Sequence, residues 1–181
     1  IKLQPLLAEA KKNLRYKKIN IQKTNTNSLV FSSEKPKSLF ALYKDQEKKY
    51  ALTDNGRMIA IEGDEKKLID LYGFLPEEFK TKDLDQVNHA FSENDLSKRV
   101  SLVISLQKIC TDKSIPLEKI IFKENIGFFI YTNSIEILLG FDSFEKKINR
   151  LEGILLSEKN AKTQITRIDL NFLGKAFIKR A

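Results

Sequence analysis

The sequence has no tryptophan, and a single cysteine, histidine and methionine among 181 residues. Each scarcity closes off a class of function. One thiol, Cys110, cannot close an internal disulfide, so cysteine usage leaves the redox compartment open. Cys110 lies among apolar neighbours at helical spacing and reads as a small core residue rather than a nucleophile. His89 stands in a polar stretch with no cysteine beside it, which leaves a zinc site too few ligands. Asp83 and Asp85 in KDLDQ form an isolated D-x-D pair opposed by Lys80 and Lys82, a poor basis for a cation site. G-x-x-x-x-G-K-[ST], G-x-G-x-x-G and G-x-S-x-G are all absent, and nothing marks a carboxylate pair as general acid and base. The chain reads as non-enzymatic, with no metal, cofactor or small-molecule substrate. No apolar run reaches the roughly 18 residues of a membrane span, and no signal-peptide pattern stands at the N-terminus. Because the first residue is Ile1, the chain reads as a segment of a longer protein, any membrane anchor lying upstream.

What is present is a core and a lopsided charge. Hydrophobic residues make up 41% of the chain, with 12 Phe, so a sizeable interior is within reach and wholesale disorder is excluded. The length suits one large domain or two small ones. Residues 1–49 hold 12 Lys and Arg against 4 Asp and Glu, which is the whole net charge of +8; the remainder holds 20 of each. Lys2, Lys11, Lys12, Arg15, Lys17, Lys18 and Lys23 are the densest part. Such a patch suits anionic lipid, nucleic acid or a solvated face. Nucleic acid fits worst, because Tyr16 stands without the glycines and interleaved aromatics of RNA-binding modules. If the patch meets lipid, residues 1–49 bind anionic vesicles and residues 50–181 do not.

The pattern along the chain is α+β, a mixed and largely antiparallel sheet with packed helices. Leu3, Leu6, Leu7, Ala10 and Leu14 recur at helical spacing, with Pro5 at the entry. KKINIQKTN and SLVFSS read as a hairpin, LFALYK and KYALT as further strands. Asp54-Asn55-Gly56 is a turn that returns the chain into RMIAIEG. A helix is expected from Asn94 to Lys113, with Leu96, Val100, Val103, Ile104 and Ile109 inward. Three strands follow, EKIIFKE, IGFFIYTN and IEILLG. Their apolar residues fall on both faces, so the sheet is expected to be covered at least in part on each side. Asp142 and Glu145 read as a capping box for a helix that buries Phe144, Ile148, Leu151 and Leu155.

ITRIDLNFLGKAFIKRA closes the chain. If Leu173-Gly174 is a two-residue loop, Phe172 pairs with Lys175, Leu170 with Phe177 and Ile168 with Lys179. Ile168, Leu170, Phe172 and Phe177 then share the core face, and one edge of strand 175–180 has no partner in sequence. Of Ala176 and Ile178, one is expected to turn its N–H outward. Lys175, Lys179 and Arg180 serve either to deter edge-to-edge aggregation or to receive an acidic partner strand.

The order of these pieces resembles the extracytoplasmic region of the FtsQ/DivIB family of bacterial cell-division proteins. NLRYKKINIQKTNTNSLVFSSEKPKSLFALY followed by KYALTDNGRMI is similar to that family's POTRA module and its entry into the β-domain, with Glu34, Pro36 and Phe40 at the patterned positions. IEILLG, a Phe144-x-x-Lys147 helix and IDLNF resemble its closing pattern, with Asn171 where the family has Arg. The resemblance implies a partial POTRA-like module over 1–45 and a β-domain over 46–181 that ends in a partner-binding hairpin. It implies a single-pass anchor in the cell membrane, a place at the division septum, and FtsB- and FtsL-like partners. Strand addition would then involve Asn171, Phe172, Lys175, Ala176, Phe177, Ile178 and Lys179. Lys11, Lys12, Arg15, Lys17 and Lys18 would lie against anionic headgroups. The rival classes are a POTRA-bearing secretion or outer-membrane assembly component and a basic nucleic-acid-binding module.

Overall fold

The structure, a computed structural model, describes residues 5, 18–24, 28–44, 47–61, 67–74, 95–158, 164–172 and 174–181. Of the expected N-terminal helix only Pro5 is described, and it is helical; the rest of that helix, Lys11, Lys12, Arg15 and Lys17, and also His89, Asp83 and Asp85, lie outside the described residues. Strands β1 (Lys18–Thr24) and β2 (Ser28–Glu34) form an antiparallel pair of their own, as the alternating pattern implies.

The larger sheet has nine described strands: β3 (Ser38–Lys44), β4 (Glu47–Thr53), β5 (Met58–Ala60), β6 (Ile69–Tyr72), β7 (Lys119–Lys123), β8 (Gly127–Thr132), β9 (Ile135–Gly140), β10 (Ile165–Asp169) and β11 (Phe177–Arg180). Their spatial order is β11-β10-β9-β8-β7-β6-β3-β4-β5. Three joins are parallel, β3 with β6, β6 with β7 and β9 with β10, and the rest are antiparallel. Parallel neighbours need a crossover. Helix α1 (Asp95–Asp112) lies in the connection from β6 to β7, and helix α2 (Phe144–Ser157) in that from β9 to β10. The fold is α+β, as the pattern predicts. Strand β3 precedes residue 45 yet hydrogen-bonds with β4 and β6, so the large sheet begins at Ser38 rather than after the expected boundary.

The turn Asp54-Asn55-Gly56 forms as read. Gly56 has φ +77 and donates to the Thr53 carbonyl at 2.9 Å, and Thr53 Oγ1 accepts the Arg57 N–H at 3.1 Å. One apolar cluster joins both helices to one sheet face. Val100, Val103, Leu106 and Cys110 of α1 and Phe144, Ile148 and Leu151 of α2 meet Ile120, Phe128, Ile130, Ile137 and Leu139. The opposite face is covered differently. Phe129 and Leu138 are buried there outside that cluster, and the Lys123 ammonium sits 4.9 Å from the Phe129 ring centroid. Lys119 lies 4.4 Å over Tyr131, whose hydroxyl donates to Glu136, itself paired with Arg167 at 3.3 Å. Lysine stems and ion pairs thus shield apolar strand residues on this side.

The expected capping box does not form. The N-cap of α2 is Ser143, in the left-handed region at φ 54, without a side-chain cap bond. Asp142 is drawn instead to Lys147, whose ammonium lies 3.1 Å from its carboxylate and donates to the Leu139 carbonyl at 2.7 Å. Lys147 is only 2% exposed. A buried ammonium persists only with such partners, so this lysine ties the start of α2 to the end of β9. Lys147→Met keeps most of the volume but orphans the carbonyl. The expected loss is about 2 kcal/mol, a melting temperature lower by about 4–8 °C, read by thermal denaturation.

Candidate partner-docking edge

Strand β11 is the outermost described strand on its side of the sheet, and all four of its residues are exposed. Its register differs from the expected one by a single residue. Ile168 faces Ile178, Asp169 faces Phe177 and Arg167 faces Lys179. A one-residue shift sends every side chain to the other face. Ile178 therefore joins Ile168 on the core side, and Phe177 turns to the opposite side.

The cause lies in the loop. Asp169 Oδ1 accepts the Asn171 N–H at 2.9 Å, an Asx-type contact that ends β10 early. Arg150 Nη1, from α2, donates to the carbonyls of Phe172 at 3.1 Å and Lys175 at 2.9 Å. The connection therefore spans Leu170 to Ala176 rather than two residues, and Leu173 lies outside the described residues. Phe172 and Phe177, expected in the core, are 54% and 57% exposed and meet edge to face with ring centroids 5.6 Å apart. Leu170 and Ile168 are buried as expected.

Backbone direction follows from two bonds. The Leu170 N–H donates to the Leu138 carbonyl at 2.9 Å, so beyond the bulge between Ile165 and Arg167, Ile168 and Leu170 point to β9 and Arg167 and Asp169 to β11. The Ala181 N–H donates to the Gln164 carbonyl at 2.9 Å, which places odd-numbered residues of β11 toward β10. Between them, Ile178 directs its N–H and C=O away from β10, to the side on which no described strand pairs. Of the two residues weighed from sequence, Ile178 is the outward one; Ala176 precedes the strand and packs partly against the core.

The remaining expected site residues gather here too. Asn171 and Lys175 are exposed in the loop, and Lys179 is exposed on β11, its carbonyl accepting from Thr166 Oγ1 at 3.3 Å. The Asn171 side chain fills the space over Gly140, where an added Cβ would lie 2.0 Å from Oδ1. At the far end Arg180 makes a two-pronged ion pair with Glu158, at 2.5 and 2.9 Å. It holds the Glu158 carboxyl below its ordinary range, chiefly through this hydrogen bond. Arg150 and Glu158 were missed in the sequence, and Arg180, read there as an edge charge, is instead tied to Glu158. Arg150 reads as a polar position off the apolar stripe of α2, and no local spacing ties it to carbonyls 22 and 25 residues away.

Lys18 and Lys23 lie on β1, and Lys2, Lys11, Lys12, Arg15 and Lys17 lie outside the described residues. A cavity of about 300 Å³ beside the C-terminal end of α1 is lined by Ile69, Gln107, Thr111, Ser114, Ile115, Pro116 and Leu117, none of them ionisable. Burial pushes the Cys110 thiol up to about 12, which keeps it protonated. Among the described residues no group of three metal-ligating side chains converges, and no helix is long and apolar enough to cross a membrane. No protein-family model matches the chain, and no curated protein matches it.

Proposed function

We propose that this chain is the extracytoplasmic part of an FtsQ/DivIB-like divisome scaffold. In this reading it is not an enzyme. It holds FtsB- and FtsL-like partners at the septum of a membrane to which it is anchored by one span, and so helps organise cell-wall synthesis. The observation that supports it best is the open side of β11. There Ile178 offers a backbone donor and acceptor, and Phe172 and Phe177 offer exposed apolar surface on the opposite face. Those are the elements of strand addition: backbone bonds for affinity, alternate side chains for selectivity. Lys175 and Lys179, both exposed, favour an acidic partner segment. The order of IEILLG, the Phe144-x-x-Lys147 helix and IDLNF supplies the family resemblance.

The test is photo-crosslinking in dividing cells with the anchored full-length protein. A crosslinker at Lys179 is expected to capture the FtsB-like protein of the same cell, and one at Leu102, exposed on α1, is not. Equal capture from both positions, or none from Lys179, would reject the reading.

The basic N-terminal segment is proposed to rest on anionic headgroups. A cut after residue 49 would break β4, so the charge is best tested in the whole chain. Replacing Lys11, Lys12, Arg15 and Lys17 together by Gln is expected to weaken binding to anionic vesicles by up to about three orders of magnitude. Unchanged vesicle binding would leave these residues as a solvated face.

A further inference from the structure

Strand β11 is held on the sheet by unusual means. The interior strand β8 buries five of its six residues, whereas β11 buries none. Little apolar area therefore fixes the terminal strand. Its attachment rests on the short ladder to β10, on the Thr166 hydroxyl and Gln164 carbonyl beside that ladder, and on two contacts from α2. Arg150 grips the carbonyls of Phe172 and Lys175 just before the strand begins. Glu158, at the C-cap of α2, grips the Arg180 guanidinium at its last residue.

The spacing of these contacts matches. Arg150 and Glu158 are eight residues apart on a helix that rises about 1.5 Å per residue, a span of about 12 Å. Lys175 and Arg180 are five residues apart in extended chain, about 17 Å. Two long side chains reach across the remainder. Side chains from one helix and its C-cap thus reach the residues before the terminal strand and its last residue.

We infer that α2 pins β11 at both ends, with Arg150 and Glu158 as positioning residues that set its register and keep its outer side presented. Charge-assisted bonds of this kind are directional, which apolar contact is not. The Arg150 contact fixes where the loop ends, and hence which residue of β11 stands opposite Ile168. The Glu158 contact, together with the Ala181 N–H bond to the Gln164 carbonyl, keeps the far end from fraying as untied terminal segments do. The role of the pinned strand in docking rests on the function proposed above; the pinning itself does not.

The test is amide hydrogen exchange on the full chain without partner. The inward N–H groups of Phe177 and Lys179 report on β11, and those of Ile120, Ile130 and Ile137 on the core. R150M and E158Q are each expected to speed exchange in β11 by about tenfold to a hundredfold while the core amides hold their rates. R150K is expected to restore most of the protection, because one nitrogen, Nη1, makes both carbonyl contacts and an ammonium has donors for both. The exchanged pair E158R with R180E is likewise expected to recover protection that E158R alone loses. Unchanged β11 exchange in R150M and E158Q would overturn the inference. So would equal acceleration across β7 to β9, since the two residues would then stabilise the whole fold. If β11 loosens as expected while an FtsB-like segment still binds R150M and E158Q normally, the pinning stands and docking on β11 is refuted.

Discussion

Ile178→Pro is expected to abolish partner binding and leave the sheet standing. Proline lacks the N–H that Ile178 turns outward, and its ring occupies the space that a partner carbonyl would enter. Because this N–H does not serve the β10 ladder, the hairpin keeps its internal bonds. The Ile178 side chain is 36% exposed beside Ile168, so some apolar contact is lost as well. The melting temperature should fall by no more than about 2–4 °C, an effect of about 1 kcal/mol. Affinity for an FtsB-like segment should drop by at least about a hundredfold, through lost backbone bonds and steric exclusion together. Lys179→Pro provides the contrast. Its N–H faces β10, so this substitution should fray β11 and lower the affinity indirectly. Calorimetric titration with melting curves separates the two. A folded I178P variant that binds like the parent would remove β11 as the docking edge.

Gly127→Ala is expected to have the largest effect on the fold. Gly127 sits at φ +96, where side chains carry strain, and an added Cβ would lie 2.3 Å from the carbonyl carbon of Gly140 and 2.4 Å from its oxygen. Both partners are buried backbone in the β8–β9 pair, so neither can move aside cheaply. Strain and overpacking together should cost about 3–5 kcal/mol, lowering the melting temperature by about 10 °C. The same substitution at Gly153 should do the opposite. That glycine lies within α2 with nothing within 4 Å of an added Cβ, so alanine should stabilise by about 0.5–1 kcal/mol. Thermal denaturation of the two variants compares a glycine required by close backbone approach with one that is merely tolerated.

Local features were legible in the sequence where their causes are local. The Asp54-Asn55-Gly56 turn follows from the positive φ at Gly56. Strands β7, β8 and β9 and the stripe of Phe144, Ile148 and Leu151 follow from apolar periodicity. What escaped was set by side chains reaching across space. Periodicity names a strand but not its neighbour, so the parallel joins of β3 to β6 and β6 to β7 could not be read. Asp142 suits a cap by spacing, yet a buried ammonium competes for it and wins. The terminal register failed by one residue because Arg150 and Asp169 reset the loop. Strand β11 is indeed the outermost described strand on its side of the sheet, and that edge position was legible in its place after the other strands. Which face Phe177 and Ile178 take was not.

Amide exchange at Ile178, with and without an FtsB-like segment, tests the central claim most directly. Strand addition at this edge engages the outward N–H of Ile178, while the N–H groups of Phe177 and Lys179 already face β10. The expected result is an alternating pattern: exchange at Ile178 slows by about tenfold or more on binding, and its two neighbours change far less. Binding that leaves Ile178 exchange unchanged, or that protects residues of α1 instead, would contradict the account.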